Sequence, residues 1–247
     1  MRVDVSAAVE QQLADADIAA AVLRLITDPH DAAVGQAPAR QAAFKGGLPN
    51  SAGAITLSKM CGSGMRAMMF AHDMLAAGSV EAVVAGGMES MTNAPYLLKK
   101  HRSGARLGHD TAYDHMFLDG LEDAYEPGRA MGTFAQDTAN AYQMTREDMD
   151  AYSIESLARA NRAIASGAFA DEVVAVTVST RTGDVVVEHD EAPGKGRPDK
   201  IPQLKPAFAK DGTITAANAS SISDGAAALV ISRQSVAAAK GQQPVAR

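Results

Sequence analysis

The sequence predicts an α/β fold with a parallel sheet. Ala54–Ser58 and Ala82–Ala85 are short apolar runs, and the second has apolar residues at successive positions, as in a strand covered on both faces. Between them, Ser63–Ala77 has a helical pattern that stops at Gly78. A strand–helix–strand order of this kind implies parallel strands and a right-handed crossover.

Two helices are predicted before this unit. The first is an amphipathic helix around Ala7–Ile26. The second begins with Pro38, which suits the first turn of a helix, and ends near Gly46-Gly47. The residues that would form the buried face of the first helix are Ile18, Val22, Leu25 and Ile26.

The middle of the chain has a different pattern. Lys99–Asp114 has no hydrophobic periodicity and is predicted to be irregular. Thr133–Tyr142 and Thr145–Ser166 are predicted helices. At the start of the second helix, Thr145 and Asp148 have the spacing of a capping box, with Asp in place of the usual Glu.

The last third of the chain predicts three strands and one loop. Val173–Ser179 and Val185–Glu188 flank a turn at Arg181–Asp184 and are predicted to form a hairpin. Asp190–Pro202, which is rich in proline, glycine and charge, is predicted to be a loop. Ala226–Ser232 has the pattern of a buried strand that returns to the core.

The composition suits a soluble globular protein with a sizeable core. The 247 residues are 47% hydrophobic, and a net charge of −6 without a basic block disfavours nucleic acid as a partner. One cysteine excludes an intrachain disulfide and fits a reducing cytoplasm. The first residues lack the pattern of a secretory signal, and no apolar run is long enough to span a bilayer, so no membrane partner is expected.

The single cysteine lies where a nucleophile would be placed. Cys61 follows a predicted strand and precedes Gly62-Ser63-Gly64 and a predicted helix. The unpaired N–H groups and the positive dipole end of a helix N-terminus favour a thiolate, and small neighbours let another group approach the sulfur. The local pattern alone fits a buried, unreactive thiol equally well. The helix is predicted to place Met65, Met68, Met69 and Leu75 on one face.

Four sequence blocks follow one another along the chain. They are Gly35–Ala42 (GQAPARQA), Leu57–Met68 (LSKMCGSGMRAM), Val83–Met91 (VVAGGMESM) with Ala94-Pro95-Tyr96, and Thr215–Ser220 (TAANAS) with Ser223–Ala228 (SDGAAA). Together they resemble the thiolase family, the acyl-CoA acetyltransferases, over about residues 34–232. One such block would be weak evidence, whereas four in the family's order are strong evidence.

The resemblance implies a thiolase-like N-terminal half with an inserted loop domain, and the family's C-terminal half is not found in the sequence. The implied domains are a core at residues 1–92, a coenzyme A-binding loop domain at 93–221, and a return strand with the start of a helix at 222–247.

The resemblance also implies an acyl-CoA C-acyltransferase. Cys61 would take an acyl group from acyl-CoA as a thioester and exchange it with another CoA species, and its backbone N–H would supply half of an oxyanion hole. Coenzyme A thioesters are the implied substrates, and neither a cofactor nor a metal is expected. The residues that would line the pantetheine groove by motif position, each explained equally well by ordinary core packing, are Leu121, Met131, Phe208, Ala216 and Ser220.

The sequence departs from the family pattern in ways that bear on catalysis. It contains neither a Gly-His-Pro block, whose histidine activates the nucleophile in the family, nor a Cys-x-Gly-Gly-Gly block. Ala130 precedes Met131-Gly132 where many short-chain members have histidine, and Asp28–Asp31 stands where the family has a strand. The six histidines, including those in His109-Asp110 and Asp114-His115, are predicted to be surface or loop residues without a matched third metal ligand.

Two functions from different classes are therefore predicted. The first is a thiolase whose acyl transfer is impaired without the missing blocks, and the second is a non-catalytic thiolase-like protein that binds acyl-CoA or a partner subunit. The expected partners are acyl-CoA and either further copies of the chain, as a dimer or tetramer, or a complementing thiolase half. Acyl chain length and the direction of the reaction stay open.

Overall fold

The protein is described by a computed structural model over residues 20–25 and 35–246. Among these residues, no helix combines the length and apolarity that a bilayer span requires. The strands are β1 (Ala20–Leu25), β2 (Gly53–Thr56), β3 (Ala82–Ser90), β4 (Tyr96–Leu97), β5 (Tyr113–Asp114), β6 (Val176–Thr180), β7 (Gly183–Val187) and β8 (Asp224–Ser232). The α-helices are α1 (Pro38–Lys45), α2 (Ser63–Ala76), α3 (Met131–Ala141), α4 (Arg146–Ala165), α5 (Glu191–Lys195) and α6 (Gln234–Ala239).

A four-stranded sheet has the order β2-β1-β3-β8. Strand β1 runs parallel to β2 on one side and to β3 on the other, and β8 is antiparallel to β3. The prediction of parallel strands on either side of α2 is confirmed. The crossover through α2 spans one strand, because β1 lies between β2 and β3, with Ala21 opposite both Ala54 and Val84.

The predicted helix over Ala7–Ile26 is wrong for Ala20–Leu25, which forms β1. A short apolar run of alanine, valine and leucine fits either a helix or a strand, so local propensity does not decide. Hydrogen bonding to strands on both sides exists only in the folded sheet, and it selects the extended conformation. The remainder of that predicted helix, and Asp28–Asp31, lie outside the described residues.

Helix α2 packs on the sheet through small side chains. Ala67 and Ala71 are fully buried, and together with Leu75 they contact Val83 and Ala85 of β3. Strand β3 is thus covered over Val83–Ala85, as predicted. The predicted apolar face is wrong for its methionines, because Met65, Met68 and Met69 are exposed. Alanines bring the helix axis closer to the sheet than methionines would, which explains why the narrow alanine stripe is the buried one.

Strand β8 confirms the predicted return to the sheet, but its predicted burial is wrong. Its residues are exposed along most of its length, with Leu229 at 55% and Val230 at 45% exposure. The pairing of β3 with β8 is close at Gly86, where a Cβ atom would overlap the carbonyl oxygen of Ala227. Glycine at this position lets the two backbones approach.

The chain divides by its internal contacts into two units. The first, here the sheet unit, contains the described residues up to Glu122 and those from Ile222. The second, here the insert unit, is Asp123–Ser221. The domain boundaries given by the sequence, 1–92, 93–221 and 222–247, stay predictions.

The insert unit contains the predicted helices and the predicted hairpin. Helix α4 begins as expected, because the Thr145 hydroxyl accepts the Asp148 N–H at 3.1 Å and donates to the Asp148 carboxylate at 2.7 Å. Strands β6 and β7 form the antiparallel hairpin. The predicted loop at Asp190–Pro202 is wrong in part, because it contains α5 and most of a 3₁₀ helix at Pro198–Gln203, in which proline occupies the first turn.

Candidate active site

Cys61 lies on the turn between β2 and α2, in the sheet unit. It immediately precedes Gly62, the N-cap residue of α2, and its side chain is exposed. The preceding residue, Met60, has a φ of +50°, a conformation that non-glycine residues adopt seldom. Strained backbone of this kind is concentrated at functional turns. The prediction that Cys61 follows a strand and precedes a helix is confirmed, and its thiol is open to a reactant.

A buried serine fixes this turn. The Ser63 side chain has no exposed surface, and its hydroxyl accepts the N–H of Lys59 and donates to the carbonyl of Met60 at 2.8 Å. The Gly62 N–H also donates to the carbonyl of Lys59 at 3.1 Å. These bonds hold the backbone of residues 59–63 without using the Cys61 side chain, so the thiol is left available for chemistry.

Four of the described histidines lie within 4 Å of a carboxylate oxygen. Such pairs join His72 to Asp73, His101 to Asp110, His115 to Asp119 and His189 to Glu188. The prediction of a surface or loop position is wrong for His115, which is 3% exposed and lies 3.2 Å from Asp119. Within residues 20–25 and 35–246, no group of three or more histidine, cysteine or acidic side chains is arranged to hold a metal ion.

Leu121 lies in the sheet unit, at the end of a five-residue π-helix, Phe117–Leu121. Its side chain is half-buried. Insertions of this type widen a helix by one residue and occur often at functional sites. The other predicted groove residues belong to the insert unit.

Within the insert unit, the structure brings the segments of Met131 and Phe208 together. Met131 is the first residue of α3 and is 41% exposed. The Phe208 ring, 38% exposed, lies so close to Gly132 that a Cβ atom there would overlap it. Glycine after Met131 therefore lets an aromatic ring rest on the backbone of the first helical turn while part of Phe208 stays exposed.

Ala216 and Ser220 lie on a turn tied to the Phe208 segment. The Ala207 N–H donates to the carbonyl of Ile214 at 2.9 Å. Asn218 closes the turn, because its side chain accepts the Thr215 N–H at 2.8 Å and donates to the carbonyl of Thr213 at 3.0 Å. Ala216 and Ser220 are exposed, so both can contact a ligand.

An arginine orders the entry into α3. Arg129 contacts Glu126 at 2.7 Å and Asp137 at 2.5 Å, and its guanidinium lies 3.7 Å from the centre of the Phe134 ring. Hydrogen bonding to Glu126 raises the pKa of Arg129 above its already high ordinary value. The permanent charge holds the segment that leads to Met131, close to the predicted groove.

Sequence reasoning missed the buried polar residues of the insert unit. Gln136, Asp150 and Thr215 are buried, although their types suggested helix or loop surface. The available signal was spacing. Gln136 follows Gly132 by four residues on α3 and therefore shares its face, and Asp150 follows Arg146 by the same interval.

Comparison with known proteins identifies the class of protein that this fold and cysteine turn define. A model of the thiolase N-terminal domain matches residues 5–235. The chain therefore belongs to the thiolase family.

Curated relatives agree with this assignment. An acetyl-CoA acetyltransferase 2 from Arabidopsis thaliana is 46% identical over 228 residues, which covers 87% of this chain and 56% of the relative. A probable acetyl-CoA acetyltransferase from Dictyostelium discoideum is 45% identical over 215 residues, covering 87% of this chain and 52% of the relative. The chain spans about half the length of the curated relatives that it matches.

Solved structures show the same partial coverage. An acetyl-CoA acetyltransferase from Syntrophomonas wolfei has a TM-score of 0.85 and 36% identity, covering 93% of this chain and 57% of that one. The Acat5 thiolase from Ascaris suum, solved in complex with coenzyme A, has a TM-score of 0.83 and 38% identity, covering 93% and 58%. The predicted α/β thiolase-like fold is confirmed.

Proposed function

We propose that this chain supplies the acyl-accepting half of a thiolase, with Cys61 as the nucleophile and a coenzyme A thioester as the substrate. The observation that carries the proposal is the exposed Cys61 on a turn that Ser63 holds in place. The same turn includes Met60, whose backbone conformation is strained. Family membership and the names of the relatives support acyl transfer as the reaction class.

In the proposed step, the Cys61 thiolate attacks the thioester carbonyl and forms a new carbon–sulfur bond. The bond to the coenzyme A sulfur breaks, and coenzyme A leaves as a thiolate that takes up a proton. Acyl transfer back to a second coenzyme A species then regenerates the cysteine. The developing oxyanion can accept a hydrogen bond from the backbone N–H of Cys61.

The insert unit is proposed to hold the pantetheine arm of the thioester. Met131, Phe208, Ala216 and Ser220 combine exposed apolar surface with a hydroxyl, as a thioester arm requires. The role of Leu121, which lies in the sheet unit, stays a prediction. Coenzyme A in the Ascaris suum relative supports this class of ligand.

Two features of the proposal concern partners and location. The exposed Met65, Met69, Leu229 and Val230 favour association with another copy or with a complementing thiolase half, since burial of apolar side chains is favourable. A single, exposed cysteine suits the reducing cytoplasm.

A non-catalytic role is the second candidate. It is favoured by the sequence, in which no histidine stands in a Gly-His-Pro block of the kind that activates the nucleophile in the family. In that case the chain would bind acyl-CoA or a partner subunit without turnover.

One experiment separates the two functions. The protein is mixed with stoichiometric acetyl-CoA, and intact-mass spectrometry followed by peptide mapping measures an acetyl group on Cys61. The proposed function predicts an adduct that is removed by added coenzyme A and absent in Cys61→Ser. Binding of coenzyme A without any adduct would support the non-catalytic role. Absence of both would contradict acyl transfer and acyl-CoA binding, and would leave only the binding of a partner subunit.

A further inference from the structure

Gln136 is a buried amide at the centre of the insert unit. It lies on α3, one helical turn after Gly132, and is 5% exposed. A buried amide destabilises a protein unless its polar atoms are hydrogen-bonded. Each polar atom of Gln136 should therefore have an identifiable partner.

The Gln136 amide forms hydrogen bonds with one neighbouring segment, residues 213–214, and with its own helix. Its carbonyl oxygen accepts the N–H of Thr213 at 2.9 Å and the N–H of Ile214 at 3.2 Å. Its NH₂ group donates to Asn140 Oδ1 at 2.9 Å and to Thr213 Oγ1 at 3.3 Å. An amide has two acceptor and two donor sites, and all four are occupied.

The fit around this amide is tight. A Cβ atom at Gly212 would overlap the carbonyl oxygen of Gln136, so the chain approaches the amide where it carries no side chain. Segment 212–214 is thus set at a fixed distance from α3. Two of the bonds join main-chain N–H groups to a side chain on α3, and these two fix where the backbone of Thr213 and Ile214 lies.

The held backbone leads directly to the proposed groove in both directions. Ile214 accepts the N–H of Ala207, next to Phe208. On the other side, the turn closed by Asn218 carries Ala216 and Ser220. The same face of α3 meets Phe208 at Gly132. One glutamine therefore lies where the segments of four proposed pantetheine contacts converge.

We infer that Gln136 is a positioning residue for the pantetheine arm of coenzyme A. It acts through the backbone of residues 213–214, which it fixes relative to α3, and does not itself contact the ligand. The inference rests on the proposed function, because it requires the insert unit to bind coenzyme A. An apolar residue would fill the same volume but would leave two buried N–H groups without acceptors, and the segment would shift to find others.

The test compares three variants at Gln136 with a control elsewhere in the insert unit. Gln136→Met keeps the volume and removes every hydrogen bond. Gln136→Asn keeps the amide but shortens it by one methylene group. Gln136→Glu keeps two acceptor oxygens for the Thr213 and Ile214 N–H groups. The control, Thr145→Ala, removes the N-cap of α4 and lowers stability without touching residues 207–220.

Isothermal titration measures the affinity of each 247-residue protein for coenzyme A, at a temperature where circular dichroism shows all of them folded. We expect Gln136→Met to bind coenzyme A at least about tenfold more weakly, or about 1.4 kcal/mol. Gln136→Asn should fall between Met and wild type, and Gln136→Glu should stay within about threefold of wild type. If Gln136→Met fails to fold, Gln136→Asn and Gln136→Glu still provide the contrast.

Each alternative result overturns a stated part of the argument. Unchanged affinity in Gln136→Met or Gln136→Asn overturns the positioning role and leaves the proposed function standing. A loss in Thr145→Ala equal to that in the Gln136 variants also overturns the role, because general destabilisation would then explain the effect. A wild-type protein that does not bind coenzyme A overturns the proposed function and this inference with it.

Discussion

Different kinds of buried groups stabilise the interior of the sheet unit and the interior of the insert unit. In the sheet unit, small apolar side chains such as Ala67, Ala71 and Val83 are buried between a helix and a sheet. In the insert unit, buried positions include the polar Gln136, which bonds to the segment at Thr213, and Asp150, which pairs with Arg146 on its own helix.

The difference explains how each unit presents its site residues. A sheet with a helix packed on it provides a rigid support, so that Cys61 needs only a short turn held by one serine. The insert unit has few long strands, and its site segments are irregular. Hydrogen bonds between side chains and the main chain of these segments then hold the backbone in place, as strand-to-strand hydrogen bonds do in a sheet. Predictions about the two units should therefore respond to different substitutions.

The largest expected effect concerns catalytic turnover. If this polypeptide alone carried out the whole reaction, the comparison of the two units would no longer account for the site. The 247-residue polypeptide alone should make or cleave acetoacetyl-CoA at least about 10³-fold more slowly than an ordinary enzyme's roughly 10 s⁻¹. General acid–base assistance contributes about 10²–10⁴-fold, and this sequence has no Gly-His-Pro block, the one whose histidine activates the nucleophile in the family. Absorbance of acetoacetyl-CoA with coenzyme A present measures the rate. A rate within tenfold of an ordinary enzyme, abolished by Cys61→Ser, would contradict this prediction.

The next effect tests the polar support of the insert unit. Arg146 donates through Nε to both oxygens of Asp150, at 2.9 and 2.8 Å, and through Nη2 to the carbonyls of Ile201 and Leu204, at 3.0 Å each. Asp150→Ala should destabilise the unit by about 3 kcal/mol, because it leaves a largely buried guanidinium without its counter-charge. Urea unfolding followed by circular dichroism measures the change.

Glu155→Ala is the matched control for Asp150→Ala. Glu155 also accepts from arginines on α4, Arg159 and Arg162, but on an exposed face. Exposed ion pairs contribute little to stability, so this variant should unfold near the wild-type midpoint. Equal effects of the two substitutions would show that burial of the Arg146–Asp150 pair is not what matters.

The apolar support of the sheet unit is tested by enlarging a buried alanine. Ala71→Leu should destabilise the sheet unit by about 1–3 kcal/mol, because Ala71 has no exposed surface between α2 and β3. Met69→Leu, on the exposed face of the same helix, should change stability by no more than about 0.5 kcal/mol. Chemical denaturation of both variants provides the measurement. A larger loss of stability in Met69→Leu than in Ala71→Leu would support the prediction that the methionine face of α2 is the buried one.

The contrast between the units also explains what could be predicted from the sequence. Parallel strands around α2, the capping box at Thr145 and the position of Cys61 depend on local patterns, and the structure confirms them. Strand β1 could not be recognised, because its conformation is decided by two neighbouring strands that are distant in sequence. The methionine face of α2 failed for a related reason. Hydrophobicity ranks methionine above alanine, whereas close packing on β3 selects the smaller side chain.

The candidate site was predictable to a different degree in each unit. Cys61 was predicted from a motif, and the groove residues of the insert unit were predicted from family resemblance; the roles of both stay predictions. Gln136 follows neither from a motif nor from the resemblance. Its four-residue spacing from Gly132 indicates a shared helix face, but its burial depends on partners at residues 213 and 214. Long-range bonds between a side chain and the backbone leave no periodic pattern in the sequence.

The smallest expected effect is a pH dependence of stability at the start of β8. This strand begins soon after the insert unit ends in the sequence. The Asp224 carboxylate accepts both the hydroxyl and the N–H of Thr92, the latter at 3.0 Å. These bonds, the hydroxyl first, hold the pKa of Asp224 below its ordinary value, with smaller contributions from Met91 and Ser90. Because the folded-state pKa is depressed, the stabilisation is fully present above about pH 4 and is lost as the pH falls through the folded pKa.

This dependence can be followed at Thr92 itself. The amide signal of Thr92 in an NMR pH titration should move with a midpoint below the ordinary aspartate pKa of about 3.9. Asp224→Asn, which mimics the protonated carboxyl, should remove that transition. It should also speed hydrogen exchange of the Thr92 amide at neutral pH, and the difference from wild type should shrink as the wild-type carboxyl becomes protonated. A midpoint at or above 3.9 would mean that Thr92 does not favour the ionised carboxylate, and that the link between the end of β3 and the start of β8 depends on strand pairing alone.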